Sequence, residues 1–433
     1  MDILARSEMS SEMNRPTRFK RTLGLFDATA ISVGAIIGAG IFVVTGIAAG
    51  LAGSALIVSM LIAASISLFT ALSFAELTAW QPKEGSIYEY AYQLISPFAG
   101  FLVGWVWMLS NVFTGAAVSL GFAHYLTTLF PIVPVRWAAA VLCIVFAAIN
   151  VFGIRQSARF NNVIVVAKLL ILAFFVIFGL THVNLAHFVP FAPFKVGVLY
   201  GACFIFFAYG GFARVAIIAD EIKNPKRTVP RAIMLSLAIS TIVYIGVGVV
   251  AVGLIGASGL ASSNSPLTKA MGATHNNAAS AVISAGALLA TASVLLTSIL
   301  GVSRMAYAMA RRKDIPEALS KLHSKHGTPY YAIWISGVLM ALLVVIIDLS
   351  KVVAISTFAL LFYYTLANIS ALRLKDVKRR YSRLVSIFGT ASCLALSVFI
   401  LFASPQAWII GIAGLGAGIV YNAARKKFFS DRS

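Results

Sequence analysis

Apolar stretches of about 20 residues recur along the whole chain, separated by short polar loops rich in lysine and arginine. They are read at residues 23–48, 52–80, 88–118, 136–153, 158–182, 196–219, 229–256, 279–310, 330–348, 351–373, 383–403 and 406–423. Each is long enough for a helix to cross the roughly 30 Å hydrocarbon layer of a bilayer. The pattern predicts an all-α integral membrane protein with about 12 transmembrane helices. The last segment is the least regular, with Gly411, Gly414, Gly416 and Gly418 in a short span.

The first segment is interrupted in its middle by Gly34-Ala35-Ile36-Ile37-Gly38-Ala39-Gly40-Ile41-Phe42. Glycine costs about 1 kcal/mol relative to alanine in a helix interior. Unwound backbone at membrane depth survives only where protein buries it or where it lines a wet cavity. The sixth segment carries a second interruption, Tyr209-Gly210-Gly211-Phe212. Two broken segments at matching places in two halves point to the binding site of a secondary transporter. The plainer alternative is that the glycines only let helices pack closely.

Composition agrees with the membrane assignment: 60% of residues are hydrophobic and 11% are charged, with mean hydropathy +0.92. A soluble chain carries about 25% charged residues. The net charge of +20 could suggest a nucleic-acid partner, but its placement argues otherwise. With a cytoplasmic amino terminus, 27 of the 34 lysines and arginines fall in the tails and loops on that side. Arg136, Lys195, Lys269 and Lys351 fall on the other side, and Lys168, Arg214 and Arg304 lie inside segments. This bias predicts a multi-pass cell-membrane protein with both termini cytoplasmic and no nucleic-acid partner.

Enzymatic function finds no support. Cys143, Cys203 and Cys393 sit within apolar segments and read as small buried hydrophobes. The six histidines make no metal-ligand pattern, and neither a phosphate loop nor a triad signature is visible. No cofactor is expected, and the expected partners are the bilayer, a small-molecule substrate and protons. The polar first 20 residues hold no apolar run of signal-peptide type.

Several motifs resemble the amino acid–polyamine–organocation superfamily. Gly34 to Phe42 is similar to its first helix. Phe74-Ala75-Glu76-Leu77 with Pro82, Gly85, Ser86 and Tyr88 is similar to the end of its second. Gly153-Ile154-Arg155-Gln156-Ser157-Ala158 through Asn161 resembles the loop into the fifth helix. Phe206 to Phe212, then Asp220-Glu221, Lys223-Asn224-Pro225 and Pro230, resembles the sixth helix and its following loop. Gly301 to Arg311 with Pro316 resembles the end of the eighth. The resemblance covers about residues 20–375 in order and implies a leucine-transporter-like 5+5 inverted repeat plus two further helices. It divides the chain into a tail at 1–22, a first repeat at 23–182, a second at 183–375, two added helices at 376–424 and a tail at 425–433. Two positions depart from the family pattern: Ala213 stands where many members carry an acid, and Arg214 where a small or apolar residue is usual.

A zwitterionic amino acid is costly to desolvate unless both charges are met. Free amides at Gly38, Ala39 and Gly40, at the start of the second half of the first helix, suit a carboxylate. Released carbonyls of Ile36, Phe207, Ala208 and Gly210 suit an ammonium group. Asn111, which by resemblance matches a substrate-contacting position in a bacterial arginine–agmatine exchanger, is placed in the side-chain pocket. Thr114, Tyr209, Phe212 and Ser298 are its expected neighbours, and Tyr209 is also a candidate gate. The alternative for Asn111 is an interhelical hydrogen bond.

Lys168 lies mid-segment, where a lysine costs about 2.5–3.5 kcal/mol to insert. By resemblance to a proton-coupled archaeal member, it takes the place of the sodium ion of sodium-coupled relatives, with the Gly34 carbonyl and the Ser293 hydroxyl as partners. The alternative is a fixed charge tethering helices. Arg214 is expected to gate the cytoplasmic side by pairing with Asp27, or to face the inner vestibule. Alternatively it recognises an acidic group on the substrate. These readings combine into alternating-access amino acid transport, proton-coupled through Lys168. An exchanger, and a sensor that binds without transporting, are the alternatives.

Overall fold

The computed structural model describes residues 21–38, 40–82, 86–153, 158–217, 219–375 and 379–430. Ala39, the stretch Ile154 to Ser157, Gly85 and most of the amino-terminal tail lie outside the described residues. Among the described residues the molecule is helical, with no β-strand beyond one isolated bridge between Leu23 and Ile222.

The first segment forms α1 (Leu25–Ile36) and α2 (Thr45–Ala52), with a π-turn at Gly40–Val44 between them. Then follow α3 (Leu56–Trp80), α4 (Ser86–Leu94), α5 (Pro97–Leu129), α6 (Val135–Val151) and α7 (Ala158–Leu180). The sixth segment forms α8 (Val196–Ala208), a run of turns, and the short α9 (Arg214–Ile217). Next come α10 (Pro225–Ala261), α11 (Pro266–Gly272), α12 (Asn277–Arg311), α13 (Tyr330–Ile346), α14 (Leu349–Leu372), α15 (Arg383–Ala403) and α16 (Pro405–Ser430). Among the described residues, eight helical stretches are long and apolar enough to cross a membrane, the first of them, Leu25–Trp80, taking in α1 to α3. Val135–Val151, Val196–Ala208 and Tyr330–Ile346 are apolar but shorter.

Two expected boundaries are corrected. The segment read as 88–118 is two helices, because Ser96 caps α5 by accepting from the Ala99 amide at 3.1 Å and Pro97 takes the first helical position. Its tyrosines made α4 read as apolar, although α4 is a separate amphipathic helix. The stretch 257–278, expected as a loop, contains the end of α10 and all of α11. The glycine-rich last segment is continuous helix, and Gly411, Gly414 and Gly418 face close neighbours in the bundle. A Cβ at Gly411 would strike the Phe358 ring, and one at Gly418 would strike Trp105. The Trp105 indole also donates to the Gly414 carbonyl at 2.9 Å.

Candidate functional site

Both interrupted segments are broken. α1 stops at Ile36, where Ile37 leaves helical geometry at φ −78° and ψ 89°, and α8 stops at Ala208. The two breaks touch backbone to backbone. A Cβ on Gly40 would fall on Cα and Cβ of Ala208, and one on Gly211 would fall on the carbonyl of Ala35. A Cβ on Gly38 would fall on the Val294 side chain of α12. These glycines therefore have a packing role as well as a place at the breaks.

A cavity lies against both breaks. Its walls include Ile36, Gly38 and Gly40 from the first, Phe207, Ala208, Gly210 and Arg214 from the second, and Asn111 and Thr114 from α5. Most residues singled out from sequence thus meet around one space, of about 40 Å³. One water needs about 10–15 Å³ on such a measure, so an amino acid fits only if the walls part. Asn111 donates through Nδ2 to the Trp107 carbonyl of its own helix at 2.9 Å. Among the described residues its amide oxygen has no hydrogen-bond partner. Thr114 Oγ1 donates to the Ser110 carbonyl at 2.9 Å and lies 2.8 Å from Ser356 Oγ.

Three expectations are corrected. The carbonyls assigned to the substrate ammonium are already engaged: the Tyr244 hydroxyl of α10 lies 2.8 Å from the Ile36 oxygen and 3.0 Å from the Ala208 oxygen. The Tyr364 hydroxyl of α14 donates to the Gly210 oxygen at 3.1 Å, and the Phe207 oxygen accepts from the Gly210 amide at 3.1 Å. Each carbonyl keeps one lone pair, so an incoming ammonium shares these acceptors with the protein. Tyr209 does not line the cavity; it is fully buried, with its ring centroid 5.1 Å from that of Tyr244. Ser298 is likewise behind the wall, where its hydroxyl accepts from Arg214 Nη2 at 3.1 Å.

Asp27 and Arg214 are not paired. Asp27 accepts from the Gly24 amide at 3.0 Å, capping α1, and from Asn162 Nδ2 of α7 at 2.8 Å. Arg214 spends Nη1 on the Thr297 hydroxyl and Nη2 on Ser298, both on α12. Just outside these two positions in sequence, the Leu23–Ile222 bridge joins the chain: the Lys223 amide donates to the Leu23 oxygen at 2.9 Å, and the Leu23 amide to the Glu221 oxygen at 3.1 Å.

Lys168 is fully buried beside the first break. Its ammonium nitrogen donates to the Gly34 oxygen at 3.3 Å, the Ile37 oxygen at 3.2 Å and Ser293 Oγ at 2.5 Å. The Ile37 carbonyl was not foreseen. It is free because α1 ends there, so the break itself supplies this contact.

Sequence reasoning missed the tyrosines that hold the breaks, Tyr244 and Tyr364, and the α14 wall of Ser356, Leu360 and Tyr363. The available signal was weak: tyrosines in mid-segment at Tyr244 and at Tyr363-Tyr364 are polar tips that require acceptors in an apolar setting.

The family model described as amino acid permease matches residues 23–413. The branched-chain amino acid permease BcaP of Bacillus subtilis is 33% identical, over 82% of this chain and 81% of its own. The methylthioribose transporter of the same bacterium is 32% identical over 85% of this chain and 84% of its own. Cationic amino acid transporter 4 of Mus musculus is 30% identical over 87% of this chain and 63% of its own. With breaks, cavity and match running through the same helices, the chain belongs to the amino acid permease family of the amino acid–polyamine–organocation superfamily.

Proposed function

We propose that this chain is a secondary active amino acid transporter of the cell membrane, working by alternating access and driven by proton uptake through Lys168. One observation carries the reading: two helices break against each other around a single small cavity, and a buried lysine is anchored on the carbonyls that one break releases. The amides after the first break take the substrate carboxylate. The carbonyls held by Tyr244 and Tyr364 share in taking the ammonium. The twelve crossings, the 5+5 inverted repeat and the cytoplasmic termini belong to the same reading.

The coupling follows from how costly a lone cation is in this setting. Neutral Lys168 leaves the Gly34 and Ile37 carbonyls without an ammonium to meet. Protonation supplies one, which draws α1, α7 and α12 together around the substrate. A second reading, an exchanger with Lys168 as a fixed charge, is favoured by one detail: three acceptors surround Nζ, as many as a permanent ammonium can use.

The test is uptake of labelled amino acids into proteoliposomes, with and without an inward proton gradient. Accumulation that requires the gradient supports symport. Uptake that requires internal amino acid and ignores the gradient assigns exchange. Binding without any uptake overturns transport.

A further inference from the structure

Arg214 lines the cavity with a guanidinium that no described carboxylate meets. Two of its five N–H donors are spent on the neutral hydroxyls of Thr297 and Ser298, which leaves three. The rest of the wall is uncharged: its polar members are Ser110, Asn111, Thr114, Ser356 and Tyr363. The sequence has no acid anywhere within residues 28–75 or 90–219, nor within 222–313, which hold most of the wall. Lys168 stands within electrostatic reach of Arg214, so the nearest ionisable neighbour on α7 is another potential cation.

A zwitterionic substrate does not correct this imbalance. Its carboxylate is met by the amides after the first break and its ammonium by the carbonyls of both breaks, so its own charges are balanced without Arg214. A half-buried guanidinium left without a counter-charge is costly, and a bidentate carboxylate is the group its planar fork fits best.

We infer that Arg214 selects substrates carrying a second negative group, so that the site takes acidic amino acids in preference to neutral isosteres and rejects cationic ones. The inference rests on the reading of the chain as an amino acid transporter and adds its substrate class. It sets this chain apart from relatives named for branched-chain and cationic amino acids. The anchoring on α12 holds the guanidinium still, so its remaining donors are preorganised rather than free to swing out to the vestibule.

Glutamate and glutamine have nearly the same size and differ in charge, which makes them the discriminating pair. Initial uptake of labelled glutamate, glutamine and lysine is measured in proteoliposomes of the full chain. Glutamate is expected to enter at least tenfold faster than glutamine, and lysine slowest. Arg214→Gln is expected to lower the glutamate-to-glutamine ratio at least tenfold. Arg214→Lys, which keeps the charge but loses the fork, is expected to lie between. Taking ratios within one preparation removes differences in yield, and the wild-type ratio decides the question even if a variant does not fold. Glutamine or lysine faster than glutamate in the wild type overturns the inference alone and leaves amino acid transport standing, as does an unchanged ratio in Arg214→Gln. Uptake of none of the three overturns both.

Discussion

Lys168 of α7 and Ser293 of α12 are joined by a hydrogen bond of 2.5 Å, and the same ammonium reaches the Gly34 and Ile37 carbonyls at the end of α1. Three helices therefore meet on one titratable atom, beside the cavity but not in its wall. In the proposed mechanism, a proton gained or lost there would act on the spacing of the helices and not directly on the substrate.

Lys168→Ala is expected to lose gradient-driven accumulation while some substrate binding remains. Because the proposed mechanism has the protonated form gather α1 and α12, wild-type uptake should rise as external pH falls. The measurement is proteoliposome uptake with an imposed inward proton gradient. Wild-type accumulation by Lys168→Ala would rule out coupling through this residue and leave the fixed-charge exchanger.

Tyr244→Phe removes the hydroxyl that spans the Ile36 and Ala208 carbonyls. Leaving a buried acceptor unpaired costs about 1–3 kcal/mol. The expected result is a lower melting temperature without substrate and a larger stabilisation by saturating substrate, whose ammonium then has the carbonyls to itself. An unchanged melting temperature and an unchanged substrate shift would show that the bridge has no energetic role.

Gly40→Ala places a methyl on the Ala208 backbone, and overpacking of this kind costs about 1–3 kcal/mol. Substrate affinity and stability should fall together, since one backbone contact serves both. Gly416→Ala is the control, because nothing lies within 4 Å of its added Cβ. Calorimetric binding at wild-type affinity in Gly40→Ala would detach this glycine from the site.

Asn111→Leu is expected to change the ranking of substrates in a binding panel and not just the yield of protein. Its amide lines the cavity and its only hydrogen bond to a described residue is within α5. An unchanged ranking would make Asn111 a structural residue.

Asp314→Asn tests the end of the bundle where α4, the end of α12 and α16 meet. The Asp314 carboxylate accepts from the Tyr88 hydroxyl of α4 at 2.5 Å and pairs with Arg425 of α16 at 2.5 Å. Burial and this hydrogen bond push the Tyr88 phenol up from its ordinary range. Losing the charge should cost roughly 1.5–3 kcal/mol, as hydrogen bonds to charged groups do. A thermal melt in detergent reads the loss, and an equal melting temperature would refute the role of the clasp.

The sequence by itself determined the membrane class, most of the helices and the two breaks. These follow from hydrophobic runs and from glycines in places a spanning helix avoids, and both signals are local. It also brought Lys168 forward, because a mid-segment lysine is costly wherever the chain folds. What only the tertiary structure decided was which polar tips meet which freed backbone groups. Tyr244 lies 36 residues from Ala208 and 208 from Ile36, and nothing in its own segment marks it as the group that spans both. Arg214 could have reached Asp27 by charge alone, yet hydroxyls on α12 hold it at the cavity while Asn162 takes Asp27. Hydrogen-bond partners are set by distance and direction in the folded bundle. Residue types restrict those choices, but only packing of the helices settles them.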